Sequence, residues 1–99
     1  MAQNAELVKG WQKFIELFDQ DHDEKALNRL FSVLLTSEER TAISHRIEIL
    51  SSLLEGNESQ RDLSARLQIS IATVTRGSNN LKQLSDKDKA FLRTLLLDE

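Results

Sequence analysis

Apolar side chains recur every three or four residues along most of the chain, between short polar stretches. This spacing is typical of amphipathic α-helices, because residues three and four apart lie on one helix face. Six segments show the pattern, and it predicts an all-α protein. They are residues 5–19, 23–35, 37–54, 59–67, 70–82 and 85–97.

Residues 59–82 predict a helix-turn-helix. Ser59 and Ser70 stand at N-cap positions before two short helices, and only Gln68-Ile69 separates them. Such a turn usually requires positive φ, so Gln68 is expected to be strained by about 1 kcal/mol. The angle between the helices should be filled by apolar side chains. These are Leu63, Leu67, Ile69, Ile71 and Val74.

The second helix of this pair has a polar face with no core to serve. Ala72, Thr75 and Asn79 recur at i, i+3 and i+7 and point away from Val74. Small and hydrogen-bonding side chains suit contact with base edges or phosphates. Any amphipathic helix has a polar side, but the caps and the short turn together favour a DNA-binding helix-turn-helix.

Two features upstream suggest a ligand. Arg46 projects into the apolar sector of the third predicted helix, so it must be paired, reach outward, or face something other than core. The second helix ends near Leu35, where Thr36 and Glu39 have the spacing of a capping box for the next helix. Carbonyls at the end of the second helix would therefore favour a cation such as an ammonium group.

The amino-acid composition limits the classes of protein to which this chain can belong. The 99 residues include three glycines and neither proline nor cysteine, which fits one helical domain, or half of a shared one. No stretch resembles a membrane span or a signal peptide, so we expect a cytoplasmic protein. His22 has no partner cluster that suggests metal, and we expect it to be solvated in an acidic connection. Without a phosphate loop or a nucleophile and base pair, we predict no enzyme.

The net charge of −3 is unevenly distributed. Residues 1–59 carry six basic and eleven acidic side chains, net −5, and residues 83–99 carry net −1. Residues 60–82 carry four basic side chains and one acidic, net +3. Positive charge is thus concentrated where phosphates would lie, and acidic flanks would discourage indiscriminate binding. The basic residues are Arg61, Arg66, Arg76 and Lys82.

Four of the six predicted helices carry broad apolar faces, which a 99-residue monomer has little interior to bury. An intertwined homodimer would bury them and would present two recognition helices to successive major grooves. We expect one domain, in which residues 1–56 and 85–97 dimerise and residues 59–82 form the helix-turn-helix.

Three stretches closely resemble the tryptophan operon repressor family. They are Leu-Leu-Thr-Ser-Glu-Glu-Arg at 34–40, Ser-Gln-Arg-Asp-Leu at 59–63 and Ile-Ala-Thr-Val-Thr-Arg-Gly-Ser-Asn at 71–79. The likeness covers nearly the whole chain in order. It implies a six-helix intertwined dimer in which L-tryptophan, as corepressor, binds beside the recognition helix and fixes its angle.

The resemblance also implies site residues. The indole would lie between Arg46 and Arg76, with Arg76 also holding the carboxylate. The ammonium would meet the carbonyls of Val33 and Leu35, near Thr36, and Gly77 would let the ligand approach the backbone. Asn80 stands where the best-known member has serine as an ammonium partner, so effector choice is open.

DNA contacts implied by the resemblance come from both helices of the helix-turn-helix. Arg61 is the best candidate for a direct guanine contact. Ser64 stands where the best-known member has lysine, which removes one phosphate or base contact. The implied contacts are Gln60, Arg61, Ser70, Ile71, Ala72, Thr73, Thr75, Asn79 and Lys82.

The sequence therefore predicts a repressor that binds palindromic operator DNA of tryptophan biosynthesis genes when L-tryptophan is bound. Two alternatives remain open. One is a DNA-binding repressor with a different small-molecule effector. The other is a helical protein-interaction module whose helix-turn-helix does not touch DNA.

Overall fold

The computed structural model describes residues 2–98, with side chains from residue 4 onward. This part of the chain forms six α-helices and no strand, which confirms the prediction of an all-α protein. The helices are α1 (Ala2–Phe18), α2 (Glu24–Leu34), α3 (Ser37–Glu55), α4 (Gln60–Leu67), α5 (Ile71–Lys82) and α6 (Asp86–Leu97). None of the described helices combines the length and apolarity that a membrane crossing requires.

The chain divides into two compact units, one up to Thr36 and one from Ser37 onward. In the first, an aromatic ladder packs α1 on α2. Phe18 stacks on Phe31 with ring centroids 5.4 Å apart, and Phe14 meets Phe18 edge-on at 4.9 Å. His22 lies in the predicted connection, but it is half-buried rather than solvated, and its Nε2 donates to the Leu17 carbonyl oxygen at 2.6 Å. That bond closes the connection back onto α1.

In the second unit, α3 packs against α4, α5 and α6. Ile49 of α3, Leu63 of α4 and Val74 of α5 form the buried centre, and the last two are fully buried. Leu67 and Ile69 pack against this centre, as predicted. Ile71 does not, because α5 begins at this residue and its side chain is 47% exposed. The prediction that Ile71 fills the interhelical angle is therefore wrong.

The local signals in the helix-turn-helix are confirmed. Ser59 Oγ accepts from the Asp62 N–H at 3.0 Å, and Ser70 Oγ accepts from the Thr73 N–H at 3.1 Å. Gln68 ends α4 with φ of +56° and ψ of +46°, the left-handed conformation that was expected. Its backbone is therefore strained in a way that glycine would avoid.

Replacing Gln68 by glycine should raise the free energy of unfolding by about 0.5–1 kcal/mol. Any residue with a side chain loses about 1–2 kcal/mol of folding free energy in the left-handed conformation. Glycine avoids this loss, but it offsets part of the gain because its unfolded chain has more conformational entropy to lose. Urea denaturation followed by circular dichroism measures the change. Gln83 is the matched control, because it is also a C-cap glutamine but has φ of −81°, so Gln83→Gly should destabilise. A Gln68→Gly variant less stable than wild type would contradict the strain.

Candidate functional site

A cavity of about 550 Å³ opens in the second unit, within the size range of small-molecule sites. Its walls come from α3, α5, α6 and the segments flanking α5. Four residues predicted for ligand binding, Arg46, Arg76, Gly77 and Asn80, line this one cavity. The remaining lining residues are mostly apolar. They are Ala42, His45, Ile49, Leu50, Ile69, Thr73, Leu81, Leu84 and Leu92.

The other three predicted ligand residues belong to the first unit. Val33 is 85% exposed on the last turn of α2. Leu35 is the C-cap of α2, and its N–H donates to the Phe31 carbonyl oxygen at 2.9 Å. Thr36 directly follows that cap, and α3 begins at the next residue, as the capping-box spacing predicted.

The two arginines give the cavity its chemistry. Arg76 donates two long intrahelical hydrogen bonds, from Nε to the Ala72 carbonyl oxygen at 3.4 Å and from Nη2 to Thr73 Oγ1 at 3.5 Å. Among the side chains of residues 4–98, no carboxylate forms an ion pair with Arg46 or Arg76. Guanidinium planes beside apolar walls suit a flat aromatic ring that carries an anionic group.

Gly77 has a packing role that the sequence did not reveal. A Cβ built on Gly77 would lie 2.7 Å from Cγ2 of Ile49, well inside van der Waals contact. Ile49 is buried in the core, so it has little room to give way. The glycine therefore allows α5 to approach α3 closely at the wall of the cavity.

His45 lines the cavity but was not predicted. It lies half-buried on α3, and it shares its face with Ala42 and Ile49 at i−3 and i+4. The helical spacing around Arg46 in the sequence could therefore have indicated that His45 lies on the same side of α3.

Within the described residues, no group of three or more histidine, cysteine or acidic side chains could hold a metal ion.

The residues predicted for DNA contact lie on α4, on α5 and at the turn between them. Six are exposed, namely Arg61, Ser70, Ile71, Ala72, Asn79 and Lys82. The other three, Gln60, Thr73 and Thr75, are half-buried and bonded to neighbours. Thr75 Oγ1 donates to Gln60 Oε1 at 3.2 Å, which joins α5 to the start of α4. The Thr73 and Ser70 hydroxyl oxygens lie 2.8 Å apart.

Thr73 occupies two environments at once. Its hydroxyl contacts Ser70 at the start of α5 and accepts a long bond from Arg76, and the residue also lines the cavity. The Thr73 side chain therefore links Arg76 in the cavity wall to the N-terminal end of α5.

Arg66 does not contribute to the positive charge of this face. Its Nη2 lies 2.6 Å from Glu58 Oε1, and its Nη1 lies 3.5 Å from Glu48 Oε2. The charge count over residues 60–82 did not include these two carboxylates, which offset the charge of Arg66. Of the other three, Arg76 lines the cavity, so Arg61 and Lys82 are the basic side chains of the predicted DNA-contact set.

Comparison with known proteins gives one family. The sequence profile described as Trp repressor protein matches residues 9–96. A Trp operon repressor homolog of Vibrio campbellii is 46% identical over 88 residues, which cover 89% of this chain and 88% of that protein. The homolog of Vibrio vulnificus is 43% identical over 97% of this chain and 93% of its own length. The homolog of Chlamydia trachomatis serovar D is 43% identical over 85% of this chain and 89% of its own length.

Proposed function

Because the chain belongs to the Trp repressor protein family, we propose that it represses transcription in response to L-tryptophan. The family is one of regulatory DNA-binding proteins, not of enzymes. The observation that carries the proposal is the cavity that Arg46 and Arg76 line together beside the recognition helix α5.

In this cavity the indole of L-tryptophan would lie between the two guanidinium groups, held by cation–π attraction and by apolar walls. Arg76 would also bind the carboxylate, since its present contacts at 3.4 and 3.5 Å are weak enough to exchange. By the resemblance, the carbonyls of Val33 and Leu35, near Thr36, are the proposed partners of the ligand ammonium. Gly77 and Asn80 would form the wall on the α5 side.

For DNA, helix-turn-helix proteins, this family among them, place the recognition helix in the major groove. Here α5 would enter by its N-terminal residues Ser70 to Thr73, and Arg61 would read guanine. Gln60, Thr75, Asn79 and Lys82 would contact the backbone or adjacent bases. Since Thr75 donates to Gln60 Oε1, we propose that Thr75 holds the Gln60 amide with its NH₂ outward.

A homodimer would supply the second recognition helix. Of the described side chains, twelve large apolar ones are exposed and only four apolar ones are buried. Trp11 on α1 is 65% exposed, and Phe91 on α6 is 62% exposed. An intertwined dimer formed by residues 1–56 and 85–97 would cover such faces. Operator DNA and free tryptophan meet in the cytoplasm, so the protein would act there.

Ligand and DNA would be coupled through α5. Tryptophan can favour operator binding only to the extent that it binds the DNA-competent pose of α5 more tightly than other poses. Arg76 faces the cavity, and Thr73 connects it to Ser70 at the end of α5 that enters the groove. A ligand fixed on Arg76 would therefore restrict that end.

The direct experiment begins with a duplex selected from a random-sequence library by the protein at saturating L-tryptophan. Fluorescence anisotropy should show that L-tryptophan raises affinity for this duplex by about 5- to 150-fold, the usual span of allosteric coupling. A shuffled duplex and L-leucine are the controls. Failure to enrich any sequence, or equal affinity with and without tryptophan, would contradict the proposal.

Asn80 supports a second candidate, a repressor of the same kind with a different effector. Asn80 lines the cavity, and its carboxamide carries both a donor and an acceptor. Thermal shifts against a panel of amino acids and indoles would identify the effector. A larger shift with another compound than with L-tryptophan would favour this candidate.

A further inference from the structure

Four side chains form a bonded cluster where α3, α4 and their connection meet. The Arg66 guanidinium grips Glu58, with Nη2 at 2.6 Å from Oε1 and Nε at 3.1 Å from the same oxygen. Its Nη1 reaches Glu48 Oε2 on α3 at 3.5 Å. The buried Ser52 hydroxyl donates to Glu58 Oε1 at 2.7 Å. We name these four residues the α3–α4 clasp.

The clasp spans the connection between α3 and α4. Helix α3 ends at Glu55 and α4 begins at Gln60, and between them Gly56 has φ of +73°. This short connection joins α3 to the helix-turn-helix. The clasp joins three segments, because Ser52 and Glu48 lie on α3, Glu58 lies on the connection and Arg66 lies on α4. It therefore restrains the angle at which α4 leaves α3.

The chemistry of the clasp favours a fixed geometry. Glu58 lies half-buried against Ser52, and the hydrogen bonds from Arg66 and then Ser52 lower the pKa of its carboxyl group. Glu58 is therefore charged at neutral pH. A guanidinium fork that holds one carboxylate through two nitrogens sets direction as well as distance, which a lysine ammonium could not do.

Building on the proposed repressor function, we propose that Arg66 is a positioning residue for operator binding. Through Glu58 and Glu48 it holds the helix-turn-helix at the angle to α3 at which α5 is presented to DNA. Without the clasp the helix-turn-helix would sample more orientations about residues 56–59, and operator binding would have to order them. The same angle sets the spacing of Arg46 on α3 from Arg76 on α5, so tryptophan affinity should fall too.

Two single variants separate positioning from direct phosphate contact. Arg66→Met keeps the aliphatic stem, and Glu58→Gln keeps the shape of its partner. At saturating L-tryptophan, each should lower affinity for the library-selected duplex by about three- to tenfold. A simple electrostatic effect would instead make Glu58→Gln bind DNA more tightly, because it removes a negative charge. The double variant should be no weaker than the weaker single variant.

Salt dependence provides a second readout. Arg66→Met should leave the slope of log affinity against log salt unchanged, whereas Lys82→Met, at a proposed contact with the DNA backbone, should reduce the slope by about one. All measurements are made well below the melting temperature of each variant, so that loss of folded protein does not contribute.

Wild-type affinity in both single variants, tighter binding by Glu58→Gln, or a reduced salt slope in Arg66→Met would each overturn the positioning role. These outcomes leave the proposed function intact, because wild type would still bind the duplex in response to tryptophan. Absence of that wild-type response would overturn the repressor function, and the positioning role with it.

Discussion

Arg76→Leu should weaken L-tryptophan binding by roughly 100-fold while the protein stays folded. The variant removes one face of the proposed indole clamp and the only proposed partner of the ligand carboxylate, and a charged hydrogen bond of this kind is worth about 1.5–3 kcal/mol. Folding should be little affected, because Arg76 is exposed and its own contacts are 3.4 and 3.5 Å long. Isothermal titration calorimetry measures the affinity.

Arg61→Leu is the matched control for this prediction. It makes the same replacement at an exposed arginine that lies on α4, outside the lining of the cavity. It should leave the tryptophan titration unchanged and should lower operator affinity by about 10- to 100-fold, the value of a bidentate guanine contact. An unaltered calorimetric titration for Arg76→Leu would refute the ligand role of Arg76.

Gly77→Ala should lower the free energy of unfolding by about 1–2 kcal/mol. Alanine is a better helix former than glycine by about 1 kcal/mol, but forcing a methyl group into a packed core costs about 1–3 kcal/mol. The clash should prevail, because the new Cβ would lie 2.7 Å from Cγ2 of the buried Ile49. Urea denaturation measures the difference.

The background variant Ile49→Leu tests the cause of this loss. Leucine has no Cγ2 branch, so the new methyl group would no longer meet it. Adding Gly77→Ala to Ile49→Leu should therefore be neutral or stabilising. If alanine at position 77 destabilises both backgrounds equally, the close approach of α5 to α3 is not the reason for the glycine.

Local signals predicted most of the fold. The order and type of the six helices, the caps at Ser59 and Ser70 and the left-handed turn at Gln68 all depend on nearby residues, and the structure confirms them. Ile71 was expected to be buried between the two helices, but its side chain is exposed. Helical spacing gives the direction of a side chain, but it does not show whether a neighbouring helix extends far enough to cover it.

The site was less accessible to sequence reasoning. Arg46 was recognisable because a guanidinium in an apolar sector calls for an explanation, and the structure brings it to the same cavity as Arg76. The packing role of Gly77 and the pairing of Arg66 with Glu48 were not recognisable from the sequence, because each depends on contacts between helices that are distant in sequence. Residue spacing within one helix carries no information about such contacts.

Two guanidinium groups are proposed to hold a flat aromatic amino acid against the recognition helix. A crystal structure of the protein grown with excess L-tryptophan would show whether they do. We expect the indole between Arg46 and Arg76, with the carboxylate on Arg76. Tryptophan bound elsewhere, or a cavity closed by its own side chains in the presence of saturating ligand, would contradict it.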